Sequence, residues 1–178
     1  MTGHVPIETA TFEKAEGIPL DVQRVLAQAR VPKASIGRLY SAVHRLEAIV
    51  LPGRGLLVKF GCTHLTGSIT YDPITGEVLQ LSETPGGDPH FVNSTLDQFS
   101  RCIRAVVEMF PLYDRESTDD EREQAASRVS GTVKAIDRSA IAADSFWETF
   151  VNDVAIGDYA TEELTPTHRG QPDSPRVS

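Results

Sequence analysis

Apolar residues along this chain change from helical spacing to strand spacing and back, and this change restricts the fold more than any other feature. Near the N-terminus they recur at i, i+3, i+4 and i+7, which predicts a helix over residues 19–30. Between residues 36 and 81 they form short runs separated by glycine and proline, which predicts four or five closely spaced strands. From residue 94 the helical spacing returns. We therefore expect an α+β fold: an antiparallel sheet of about five strands with helices packed on one side.

The strand region contains one well-marked hairpin. Residues 72–76 read Asp-Pro-Ile-Thr-Gly, a turn sequence, and Tyr71 and Val78 flank it, so they are expected to pair across it. Residues 91–92 are apolar and predict a brief return to the sheet. Residues 41–45, by contrast, show little strand pattern.

Capping residues mark the helices that follow. Ser94 and Asp97 have the spacing of a capping box and predict a helix over residues 94–110. Ser145 and Glu148 repeat that spacing and predict another helix, which Gly157 would end. A weaker apolar repeat between them predicts a third helix that includes residues 126–136.

The length of 178 residues suits a single domain. We expect an N-terminal extension over 1–18, one domain over 19–160 and a disordered, proline-bearing tail over 161–178. The chain has 25 acidic and 17 basic residues, a net charge of -8, which argues against nucleic acid and anionic membranes as partners. With neither a signal sequence nor a long apolar run, the chain is predicted to be cytoplasmic. The sequence leaves the oligomeric state open.

No common catalytic or cofactor motif is present. The two cysteines, Cys62 and Cys102, belong to no paired Cys/His set, so neither a metal site nor a cofactor is predicted. A small hydrolase would need one of the cysteines to pair with His64 or His90. This alternative is weaker than the hypothesis that both cysteines are small residues packed in the core. We therefore expect a protein that is not an enzyme.

Several segments resemble a known family in their order and spacing. They are Phe60-Gly61, the run from Ser68 to Val78, the run from Phe91 to Phe99, and Asp137-x-x-Ala140 followed by Trp147. Together they are similar to the SUKH superfamily of bacterial immunity proteins, and most similar to its fourth immunity subfamily. Asn93 and Trp147 within these segments are expected to have structural roles, Asn93 by bonding turn backbone and Trp147 in the core.

The resemblance implies a non-enzymatic protein that binds and neutralises a cognate domain of a polymorphic toxin system, often a nuclease or nucleic-acid deaminase. A peptide- or protein-binding adaptor of the same fold is the alternative. An inhibitor of such a toxin benefits from an acidic face, because enzymes that act on nucleic acid have basic clefts. The predicted partner-binding residues are therefore those of the densest acidic stretch: Asp114, Glu116, Asp119, Asp120, Glu121 and Glu123. An exposed loop and helix start that binds no partner would also explain this acidic stretch.

Overall fold

Five consecutive strands form one antiparallel sheet in the order β1-β2-β3-β4-β5. The computed structural model describes residues 7–33, 39–63, 67–82 and 87–159. Every strand pairs with its neighbour in sequence, so the expected meander and α+β class are confirmed. The strands are β1 (Ser41–Leu51), β2 (Gly55–Thr63), β3 (Gly67–Tyr71), β4 (Val78–Ser82) and β5 (His90–Asn93).

The first strand begins earlier than its sequence pattern indicates. Residues 41–45 belong to β1, although they show little strand pattern. The register with β2 shifts between Ala42 and Glu47, and this irregularity disrupts the alternation of buried and exposed residues from which a strand is recognised. The run from Ile36 to Tyr40 lies mostly outside the described residues.

The β3–β4 hairpin forms as predicted, with Tyr71 opposite Val78. Asp72 is buried and its Oδ1 accepts hydrogen bonds from the backbone N–H groups of Ile74 (2.8 Å) and Thr75 (3.2 Å). The turn closes at Gly76, whose φ of 81° suits glycine. The side chain of Asp72 thus organises the turn.

Beside the sheet, the described residues form four α-helices and one short 3-10 helix. They are α1 (Leu20–Gln28), α2 (Leu96–Glu108), α3 (Asp119–Ile136), the 3-10 helix (Arg138–Ile141) and α4 (Phe146–Ile156). All three helices predicted after the sheet are present, as is the helix predicted over 19–30. Val25, which belongs to the apolar repeat of α1, is nevertheless 41% exposed. None of the helices in the described ranges is long and apolar enough to cross a membrane.

The helix starts differ in detail from the predicted capping boxes. Thr95, not Ser94, caps α2, because its hydroxyl accepts from the N–H of Gln98 (3.2 Å). Ser145 caps α4 as expected, but the carboxylate of Glu148 accepts from the N–H of Asp144, so the reciprocal half of the box is displaced by one residue. Gly157 ends α4 in the left-handed conformation, as predicted.

The main apolar core lies between one face of the sheet and the helices. Phe60 of β2 and Tyr40 both pack edge-to-face on Phe99 of α2, and Trp147 of α4 is fully buried beside Phe150. The described part of the predicted N-terminal extension contributes Ala15 and Ile18 to this core: it packs on the domain. A smaller apolar cluster lies apart from the main core: Leu57, Leu79 and Leu81, with Ile49, Leu51 and Phe91 against them.

Candidate functional site

All six acidic residues predicted to bind a partner are exposed. Asp114 and Glu116 lie in the connection between α2 and α3, and the other four lie in the first turns of α3. Asp119 and Glu123, four residues apart, point to the same side of the helix. The six residues are called the acidic surface below. Three of them, Asp119, Asp120 and Glu121, lie in the first turn of α3, where the helix dipole favours negative charge.

The carboxylates of two members of the acidic surface accept hydrogen bonds at the start of α3. Glu121 completes a capping box with Thr118: it accepts from the Thr118 N–H at 2.7 Å while the Thr118 hydroxyl accepts from the Glu121 N–H at 3.3 Å. The hydrogen bonds from the Thr118 backbone and hydroxyl lower the pKa of Glu121 below its ordinary value. Asp119 accepts a long hydrogen bond from Arg122 (3.4 Å). The T-x-x-E spacing of Thr118 and Glu121 is the sequence signature of this capping box, although the box was not among those predicted.

Three of the other members have carboxylates that a partner could contact without displacing an existing bond. The side-chain carboxylates of Glu116, Asp120 and Glu123 make neither a hydrogen bond nor an ion pair with any residue in the described ranges. Asp114 is an exposed residue with contacts of its own, including a backbone N–H that donates to Ser117 Oγ. Three exposed carboxylates near the start of α3 are therefore available for a basic surface.

A buried polar network lies at the other end of α3. Asp137, which follows the helix, is only 3% exposed, and its carboxylate accepts four hydrogen bonds. Oδ2 accepts from the Ser94 N–H (2.7 Å) and Asn93 Nδ2 (3.0 Å), and Oδ1 accepts from the Ser94 hydroxyl and the Ser139 N–H (both 3.1 Å). One side chain therefore joins the end of β5 to the start of the 3-10 helix.

Asn93 extends this network to α4. Its Oδ1 accepts from the indole N–H of Trp147 (2.9 Å), and both side chains are fully buried. Asn93 and Trp147 thus have structural roles, as predicted. The partners of Asn93 differ from the prediction: its side chain bonds the distant side chains of Asp137 and Trp147 and not the backbone of a turn. Because Ser94 is held by Asp137, it does not cap α2, which explains the shift of that cap to Thr95.

A groove of about 530 Å³ opens beside this network. It lies where β5 meets the starts of α2, the 3-10 helix and α4. Asp144 on its wall has a φ of 59°, which is uncommon outside glycine but tolerated by aspartate. The described residues that line the groove come from three separate stretches of sequence: Glu77, Pro89, His90, Phe91, Ser94, Ser139, Ala142, Ala143, Asp144 and Ser145.

The groove and the acidic surface lie at opposite ends of α3. The helix runs from Asp119 to Ile136, so at 1.5 Å per residue its ends are about 26 Å apart. The structure therefore does not bring the predicted acidic residues together with the segments that resemble the immunity family. Two of those segments, residues 91–99 and 137–147, form the buried network, and the acidic surface is separate from it.

The two cysteines give no support to the hydrolase alternative. Cys102 is fully buried, and burial raises the pKa of its thiol to about 12, so it does not supply a thiolate nucleophile. The Sγ of Cys62 lies 3.1 Å from the hydroxyl of Ser41. His90 contacts the backbone oxygen of Asp144, and His64 lies outside the described residues. Within the described ranges, no three His, Cys, Asp or Glu side chains are grouped so as to hold a metal ion.

Comparison with known proteins supplies the family. No curated protein and no solved structure matches the chain significantly. The family described as SUKH-4 immunity protein matches residues 3–153, which is most of the chain and includes every segment that carried the resemblance. This membership indicates an immunity function directed against a toxin. The chain belongs to the SUKH-4 immunity protein family.

Proposed function

We propose that this chain neutralises its cognate toxin domain by stoichiometric binding, with the acidic surface covering a basic, nucleic-acid-binding cleft of the toxin. The toxin would be a nuclease or a nucleic-acid deaminase, acting in the cytoplasm of the cell that produces both proteins. The chain itself would work without catalysis, as one domain over residues 19–160. Family membership supports the immunity function.

The observation that carries the choice of surface is the set of unpaired carboxylates on α3. Glu116, Asp120 and Glu123 are exposed, and their carboxylates make no hydrogen bond or ion pair within the described residues that a toxin would have to break. A partner with a basic cleft therefore gains charge complementarity without displacing an existing ion pair. Such complementarity raises the association rate and selects against acidic partners.

The proposal is tested by co-expression with a candidate toxin domain: the variable C-terminal domain of a large secreted protein, where a gene for one lies beside the gene for this chain. The wild-type chain should restore growth and bind the domain. Changing Glu116, Asp120 and Glu123 together to lysine should weaken binding at low salt at least about tenfold and reduce its dependence on salt. Glu121 is left unchanged because its side chain holds the α3 cap.

A matched variant controls for the change in net charge. Glu16, Asp21 and Asp97 are exposed carboxylates away from the acidic surface, and Asp21 and Asp97 lie in first helical turns, as Asp120 does. Their change to lysine gives the same net charge and should leave binding near the wild-type level. Equal losses in both variants, or unchanged affinity of the acidic-surface variant at low salt, would contradict the proposed surface. A toxic domain that the wild-type chain neither binds nor neutralises would contradict the immunity function and favour the adaptor alternative.

A further inference from the structure

We infer that the groove between β5 and the start of α4 receives a basic side chain, arginine or lysine, from the protein that this chain binds. The inference rests on the proposed function and adds a second, separate contact to it. It starts from the composition of the groove wall, which holds two carboxylates, Glu77 and Asp144. None of the described residues that line the groove is lysine or arginine.

The two carboxylates are not equivalent. Glu77 accepts from Arg54 Nη2 at 2.8 Å and from the hydroxyl of Thr75 at 3.1 Å, so its charge is already compensated. Asp144 is exposed, and its carboxylate has neither a hydrogen bond nor an ion pair with any described residue. Its side chain is therefore the free negative charge at the groove.

The rest of the wall suits the stem of a basic side chain. Pro89, Phe91, Ala142 and Ala143 give apolar surface, and Phe91 is only half-buried. Lysine and arginine place an apolar stem on such surface while the charged head reaches a carboxylate. An aromatic ring adds attraction for the cation, most effectively for a guanidinium group.

The helix starts around the groove do not make it an anion site. Helix N-termini attract anions through their free N–H groups. Here the N–H groups of Ser94 and Ser139 donate to the carboxylate of Asp137, and that of Asp144 donates to the carboxylate of Glu148 at 2.6 Å. Internal carboxylates already occupy these donors, so an added anion finds little to bind.

The test uses the full chain labelled with ¹⁵N and titrated with N-acetyl-arginine methylamide. Saturable shifts are expected at the backbone amides of Ser94, Ser139 and Ser145, with an affinity of about millimolar, as suits so small a ligand. The citrulline analogue, which keeps the shape and lacks the charge, should produce much smaller shifts. Citrulline shifts equal to those of arginine, or saturable shifts by inorganic phosphate at these amides and none by arginine, would overturn the inference.

A pair of variants assigns the charge. Asp144→Asn keeps a residue that tolerates positive φ, so the fold should be retained, and it should lower arginine affinity about tenfold because a charged partner is lost. Asp120→Asn removes the same charge at the far end of α3 and should leave the affinity unchanged. Unchanged affinity of the folded Asp144→Asn variant would also overturn the inference. Toxin neutralisation without arginine binding refutes only this inference, whereas arginine binding without toxin neutralisation refutes only the proposed function.

Discussion

Replacing Asp137 with asparagine should destabilise the protein by about 2–4 kcal/mol. The carboxylate accepts four hydrogen bonds in a nearly dry site, and the amide of asparagine offers one oxygen in place of two. If the amide nitrogen replaces Oδ2, the Ser94 N–H and Asn93 Nδ2 both lose their acceptor. If it replaces Oδ1, the Ser139 N–H loses its acceptor, and the Ser94 hydroxyl can reverse its role. The second orientation therefore costs less.

The magnitude follows from that cheaper orientation. One hydrogen bond to a charged group contributes about 1.5–3 kcal/mol, and the bonds that remain to Oδ2 weaken because the acceptor becomes neutral. For a chain of this size, the melting temperature should fall by about 5–15 °C. Urea unfolding followed by the fluorescence of Trp147, the single tryptophan and itself bonded to Asn93, measures the free energy directly.

Two comparisons make the result decisive. Asp97→Asn removes an exposed carboxylate with only a 3.8 Å contact to Arg101, so it should cost less than about 0.5 kcal/mol. In a double-mutant cycle, Ser94→Ala and Asp137→Asn should be non-additive by at least about 0.5 kcal/mol, since they share hydrogen bonds. A loss below about 1 kcal/mol for Asp137→Asn, with unchanged urea dependence, would refute the idea that this carboxylate joins the sheet to the helices.

Two further predictions concern the sheet. Gly61→Ala should destabilise the protein by about 1–3 kcal/mol, because the added Cβ would overlap the ring of Tyr40, which is buried and cannot move freely. A melting temperature equal to that of the wild type would contradict this close approach. Burial raises the pKa of the Asp72 carboxyl, but hydrogen bonds from Arg54 and from the N–H groups of Ile74 and Thr75 outweigh it and leave that pKa below its ordinary value. The folded pKa therefore lies below the unfolded one, and the stabilisation is present above about pH 4 and lost as the pH falls through the folded pKa. Arg54→Gln should lower the free energy of unfolding by about 1–3 kcal/mol at pH 7 and by progressively less below pH 4, as measured by urea unfolding across pH. A loss of stability that does not diminish in acid would contradict this role of the ion pair between Arg54 and Asp72.

The elements that the sequence predicts well are those whose signals are local. The β3–β4 hairpin follows from five consecutive turn residues, and the end of α4 follows from Gly157. The start of β1 was missed because its register shift removes the alternation on which strand recognition depends. Ser94 was assigned to the wrong role because the residue that holds it, Asp137, lies 43 positions away, a distance over which spacing rules carry no information.

The candidate site divides in the same way. The acidic surface can be predicted from the sequence because its residues lie close together in the chain, although the capping role of Glu121 was not anticipated. The groove cannot be predicted from the sequence, since its wall combines residues near positions 77, 90 and 140 that only the fold brings together. The positive φ of Asp144 is equally hidden, because nothing in its neighbours distinguishes it from other aspartates.

The buried network has a consequence for how such a protein can change its target. Asn93, Asp137 and Trp147 lie in segments that resemble the family, face inward and bind one another. Substitutions at Asp120, Glu123 or Asp144 alter the surface without breaking any hydrogen bond of that network. Under the proposed function, exchange of these exposed residues changes what the protein binds, while the buried network keeps its hydrogen bonds.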